Sequence, residues 1–165
     1  MRLLYSEHDI HRYVDYAFKA IQPRQMTSDR LYPLTEYLPD SIVDRMDNEP
    51  RADLDEMGRC VQLSTLTGEA LWTAAALMAF RVFEDAARTI VAADLKLNAS
   101  KMHLNEVLER LEEEVFSEAF VDDLHELRWL RNEGMHSERR FGRKAALKIV
   151  RLALLVAVYA YCLAT

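Results

Sequence analysis

Ala70-Leu71-Trp72-Thr73-Ala74-Ala75-Ala76-Leu77-Met78-Ala79-Phe80 is a run without charge that is apolar on nearly every side of a helix. Only a helix surrounded by other elements can bury such a surface. The run is therefore expected at the centre of the molecule, in a long helix from about Thr67 to Leu95. Arg81, Glu84 and Arg88 follow at spacings of three and four, on one helix face. Charges carried by a central helix need partners. An ion-pair ladder within the helix accounts for Arg88; Arg81 and Glu84 are equally suited to a role beside a functional site.

The composition around this run agrees with an all-α chain. Half of the 165 residues are hydrophobic, with only four Gly and four Pro, which suits a single ordered domain. Cys60 and Cys162 form neither a CxxC pair nor a disulfide framework and read as small buried apolar residues of a reducing compartment, the cytoplasm. Met1 to Tyr5 is too brief an apolar run for a secretory signal. Leu152 to Ala164 is uncharged but short of the ~20 residues that span a bilayer, so no membrane segment is expected.

Outward from the central run, Ser6 to Gln22 reads as an amphipathic helix capped by Ser6 and closed by Pro23. Residues 23–50 are the least regular part, divided by Pro33, Pro39 and Pro50 around a short helix at Ser41–Met46. Helix resumes at Asp53, with a break expected near Gly58 or at Ser64-Thr65. After the central helix, Ser100 suits the cap of a helix whose buried stripe is Leu104, Val107, Leu108, Leu111 and Val115. Glu109, Glu112, Glu113 and Glu114 form its wet side. Ser117 starts the next helix, and a last helix begins within 138–145 and runs to Ala164. The expected architecture is all-α: an antiparallel four- to five-helix bundle with a less regular N-terminal segment. It forms a single domain, with residues 1–64 as N-terminal helix and capping segment and 65–165 as bundle core.

The net charge of −6 argues against a protein that coats nucleic acid, but the charge is uneven. Residues 128–151 hold Arg128, Arg131, Arg139, Arg140, Arg143, Lys144, Lys148 and Arg151 against only Glu133 and Glu138. A basic pole on an acidic body steers an anionic ligand; a solvated, ion-paired helix face has the same composition. Helical phase adds to the argument. At 100° per residue, Arg128 lies about 40° from Leu124 and Arg131 about 20° to its other side. Both arginines therefore project from the apolar face of their helix, where each needs a carboxylate, a carbonyl or a ligand anion. His136 stands about 140° from Arg131 in an unbroken helix. The two share a face only if the helix ends at Gly134 in a left-handed cap. Arg140, Lys144, Lys148 and Arg151 then extend a basic stripe away from the histidine.

Arg131-Asn132-Glu133-Gly134-Met135-His136 resembles the R-x4–6-H motif of HEPN domains, including the polar residue that commonly follows the arginine. The setting is similar too: the motif lies between the penultimate and last helices, after a long helix carrying Arg81-x-x-Glu84. The wider pattern, Leu127-Arg128-x-x-Arg131-Asn132-x-x-x-His136, is similar to a bacterial HEPN-like family whose upstream arginine matches Arg128 and which often has glycine at the position of Arg131. Either arginine therefore stands as the functional one. The resemblance spans residues 65–165.

What the resemblance implies is a metal-independent endoribonuclease without a cofactor, working as a homodimer on RNA. A toxin or defence effector is one such setting, with a protein antitoxin or other partner. His136 would be general acid or base. Arg131, with Arg128 as second candidate, would stabilise the phosphorane. Asn132 would hydrogen-bond the phosphate or orient the histidine. Arg81 and Glu84 would support an arginine, and Arg140 and Lys144 would contact substrate. Some HEPN domains lack nuclease activity and serve as dimerisation or RNA- or protein-binding modules, which is the alternative reading. The other histidines make no site: His125-Glu126 is followed by Trp129 where HExxH needs histidine, and His8, His11 and Asp15 read as a surface helix face. No P-loop, GxGxxG or GxSxG is present.

Overall fold

A computed structural model describes residues 2–23, 31–68, 70–114, 118–136 and 140–163, with the backbone alone described at 114, 118–121 and 134–136. Among the described residues seven α-helices and two 3-10 turns occur, and the only strand-like pairing is an isolated bridge between Leu3 and Leu163. The all-α expectation is met.

The first helix, α1 (Glu7–Ala20), starts where the Ser6 hydroxyl accepts the Asp9 N–H at 3.1 Å. It buries Ile10, Val14 and Ala17, spaced along one face. A 3-10 turn, Leu34–Tyr37, and the single-turn α2 (Asp40–Val43) follow, each entered from a proline. α3 (Asn48–Thr67) has Pro50 in its first turn, where its missing N–H is not needed. It ends at Gly68, whose φ of 72° supplies the left-handed cap.

The expected break at Gly58 does not occur: α3 runs through it. The glycine is there for space, because a Cβ at 58 would stand 2.7 Å from the Leu34 Cβ. Gly58→Ala is expected to destabilise the protein by about 1–3 kcal/mol through overpacking, against the ~1 kcal/mol by which alanine favours a helix. Urea denaturation measures it, and a gain in stability would refute the packing role.

The central helix is α4 (Trp72–Asp94), which begins later than Thr67 because Gly68 ends α3 first. A second 3-10 turn, Ala99–Lys101, precedes α5 (Leu104–Glu114). Ser100 lies inside that turn and its hydroxyl meets Asn98 Oδ1 at 2.7 Å, so it is not the cap of α5. Leu104, Val107, Leu108 and Leu111 are buried as the stripe predicts. Val115 and Ser117 lie outside the described residues. α6 (Glu118–His136) and α7 (Arg143–Cys162) complete the chain.

α4 packs most extensively against α7 and next against α3; α7 also touches α1, α2, α3 and α6. The last helix is therefore as central as α4. Leu152 through Ala160 are all buried. By length and composition α7 resembles a membrane-crossing helix, and its burial among the other helices accounts for that apolarity. Alanines at 75, 76, 79, 86 and 87 on α4 and at 146, 153, 157 and 160 on α7 are buried. Their small side chains let the two backbones approach closely. The N-terminal segment joins the same core cluster through Ile10, Leu34, Ile42 and Leu54, and position 64 lies inside α3. The ends of the chain are tied as well. Leu4 N–H donates to the Cys162 carbonyl at 2.7 Å, and Arg45 Nη2 donates to the Leu163 carbonyl at 2.6 Å.

Candidate functional site

On α6, Leu124, Leu127 and Leu130 are buried, so the inward face predicted from phase is the one that packs. Arg131 follows on that face and meets α4. Its Nη2 lies 3.3 Å from Glu84 Oε2, while Glu84 Oε1 accepts from Arg88 Nη2 at 3.1 Å. Arg88 in turn donates through Nη1 to the carbonyls of Ala99 and Met102, at 2.6 and 2.7 Å. The side chains of Arg131, Glu84 and Arg88 are only 24%, 29% and 25% exposed.

This relay tells what Glu84 does. A half-desolvated arginine must be paired, and one carboxylate serves two of them. Two guanidiniums against one carboxylate leave a surplus positive charge at the α4–α6 contact. Half-buried Arg128, one turn earlier on α6, has no carboxylate partner among the described residues. Asn132 Oδ1 lies 3.5 Å from Arg131 Nη1, at the limit of a hydrogen bond, and its side chain is exposed. Glu84→Gln keeps the shape and removes the shared charge. It is expected to cost about 1.5–3 kcal/mol, read from chemical denaturation; a change below ~0.5 kcal/mol would show that the relay contributes nothing.

Two expectations are corrected. Arg81 does not join Glu84: its guanidinium turns to α3, with Nη2 2.7 Å from Glu49 Oε1 and Nε 3.2 Å from Asp53 Oδ2. It braces α3 against α4 instead. Asp85 flanks that cluster, and burial followed by the nearby Asp53 charge pushes its carboxyl up. The helix break at Gly134 is also absent, for α6 continues through it to His136. Glycine permits a left-handed cap without requiring one, and a helical glycine keeps its backbone hydrogen bonds. Positions 131 and 136 therefore stand about 140° apart around one helix axis. The His136 side chain lies outside the described residues.

The basic stripe is also partly neutralised. Lys148 Nζ lies 2.6 Å from Glu126 Oε2, and Arg151 Nη2 lies 3.0 Å from Asp15 Oδ1. Arg140 and Lys144 are exposed and have no carboxylate partner among the described residues. Arg140 precedes α7 rather than belonging to it. Glu112, read as part of a wet face, turns to His125, with Oε1 2.9 Å from Nε2, and ties α5 to α6. Trp129 is 56% exposed. Cys60 and Cys162 are free and buried, and burial pushes the Cys162 thiol up to about 11, which leaves it unreactive. Among the described residues no group of three or more His, Cys, Asp or Glu is arranged to hold a metal ion.

No family model, curated protein or solved structure matches the chain. The functional reading rests on the residues of the site itself.

Proposed function

We propose that this chain is a HEPN-type endoribonuclease, built as an antiparallel helical bundle and active as a cytoplasmic homodimer. The observation that supports it most is the Arg131–Glu84 contact at 3.3 Å. It holds an inward-phased arginine in place, in a spot with surplus positive charge, directly before Asn132. In this reading His136 removes the proton of an RNA 2′-hydroxyl. The 2′-oxygen forms a bond to phosphorus, the bond to the 5′-oxygen breaks, and the leaving oxygen takes a proton from an acid. Arg131, with Arg128, binds the phosphorane oxygens as their charge builds.

In this reading the unbroken α6 sets a condition on how the site is assembled. An arginine and a histidine about 140° apart on one helix do not converge on one phosphate, so the histidine is supplied by the partner subunit. The same continuity favours a second reading, a non-catalytic module that binds RNA through its arginines.

RNA cleavage in EDTA by wild type, Arg131→Ala and His136→Ala tests the proposal. Both variants are expected to be inactive, and mixing them in equal amounts should restore about a quarter of the activity, since half of the dimers are then heterodimers with one intact site of two. Unchanged cleavage by both variants, or none by any form, removes the catalytic assignment. RNA binding without cleavage by wild type would establish the second reading. Inactive variants that no mixture rescues would place both groups in one chain and refute the shared site.

A further inference from the structure

A groove of about 360 Å³ lies beside α3, away from the relay around Arg131. That is within the ~300–1,000 Å³ typical of small-molecule sites. Asp55, Arg59 and Gln62 follow one another at spacings of four and three along α3, which sets them on one helix face. With Glu56 and with Tyr32 and Pro33 from the segment before the first 3-10 turn, they line the groove.

Gln62 shows which kind of group the groove lacks. It is only 3% exposed, and its amide nitrogen donates to the Tyr32 carbonyl at 3.0 Å and to the Gly58 carbonyl at 3.3 Å. Both N–H groups are thereby used and the amide is pinned. Its Oε1 remains as an acceptor that no donor among the described residues reaches, and a side chain withdrawn from water needs its hydrogen bonds filled. Asp55 adds the charge. Its Oδ1 accepts the Thr35 N–H at 3.0 Å, but no cation pairs with the carboxylate among the described residues. Glu56 and Arg59 meet at 3.5 Å with both side chains well exposed, so their charges offset each other and that of Asp55 is left over. Tyr32, 41% exposed, lies on the same groove, and an aromatic face attracts a cation. An open amide acceptor, an unbalanced carboxylate and an aromatic residue all select a cation with N–H donors. An anion is repelled by Asp55.

We infer that this groove binds a small organic cation, an alkylguanidinium or alkylammonium, which donates to Asp55 and Gln62 and lays its apolar body against Tyr32 and Pro33. The volume takes a whole small molecule, so the occupant is a free cation rather than a side chain of another protein. The site does not require that the chain cleave RNA.

Titration of the isotope-labelled full chain with butylguanidinium, followed through amide chemical shifts, is the test. The shifts are expected to saturate and to centre on residues 31–33 and 52–62. Butylurea has the same shape without the charge and should bind about tenfold or more weakly. Guanidinium ion alone, which lacks the apolar body, should also bind about tenfold more weakly. Asp55→Asn/Glu56→Gln keeps an oxygen for the Thr35 N–H and should weaken butylguanidinium by about tenfold or more, with an unchanged circular dichroism spectrum. Glu106→Gln/Glu109→Gln makes the same charge change at exposed positions of α5 and should leave affinity within about twofold. No saturable shift in wild type, shifts centred elsewhere, equal binding of butylurea, or equal losses in the two double variants would overturn the inference. The first three outcomes are read on wild type and do not depend on how the variants fold. A blocked Gly-Arg-Gly peptide that binds about tenfold more tightly than butylguanidinium would make the occupant a protein side chain and overturn the assignment to a free cation; equal or weaker binding supports it.

Discussion

Phe83→Ala is expected to destabilise the protein by about 3–5 kcal/mol. Phe83 is fully buried on α4, the helix that packs against both α3 and α7. Three of its neighbours along the helix, Ala79, Ala86 and Ala87, are small. They have no side-chain length with which to refill the space left by a ring, so the transfer loss and the cavity loss add. For a domain whose total stability lies near 5–15 kcal/mol, that is enough to bring a large fraction of molecules close to unfolding. Leu77→Ala on the same helix is the control, since Leu77 is 44% exposed and should cost about 1 kcal/mol or less. Urea denaturation midpoints, with unchanged slope, measure both. Equal losses would show that α4 is not packed as described.

If the chain is the ribonuclease proposed above, Arg131→Ala is expected to lower RNA cleavage by about 10²–10³-fold, the usual loss when one donor to a charged transition state is removed. Its effect on stability should be only about 1 kcal/mol, because Glu84 stays paired with Arg88. That separation is what distinguishes a catalytic arginine from a structural one. Arg131→Lys keeps the charge but not the planar fork, and should recover a small part of the rate. Arg128→Ala decides between the two arginines: if it abolishes cleavage while Arg131→Ala does not, the upstream residue is the functional one. A loss of cleavage that merely follows loss of fold in every variant would remove both from the chemistry.

Much of the local structure was legible because its causes lie within a few residues. The Ser6 cap depends on the Asp9 N–H three residues away, and the buried stripes of α1 and α5 follow a period of 3.6 residues. The inward projection of Arg131 is the same kind of fact. By sequence, Glu84 and Arg81 share a face of one helix and are equally eligible to support it. Only the placement of Glu49 and Asp53 on α3 drew Arg81 away. Glycine misled in both directions. Gly58 is one of two positions at which the sequence allows a break and Gly134 the one on which a shared face depends, yet both lie within helices, while Gly68 ends one. A glycine allows a turn, a close approach or a helix, and its neighbours in space determine which.

The sequence by itself determined the all-α class, the faces the helices bury and the direction in which Arg131 points, since all three are properties of backbone geometry over one or two turns. Only the tertiary structure decided that α7 shares the centre with α4. It also decided which cations are neutralised and that Tyr32 and Gln62 meet in one groove. The physical reason is range: Arg131 and Glu84 are 47 positions apart and Arg151 and Asp15 are 136 apart. A Coulombic contact of about 3 Å is set by how helices pack, which no local period encodes.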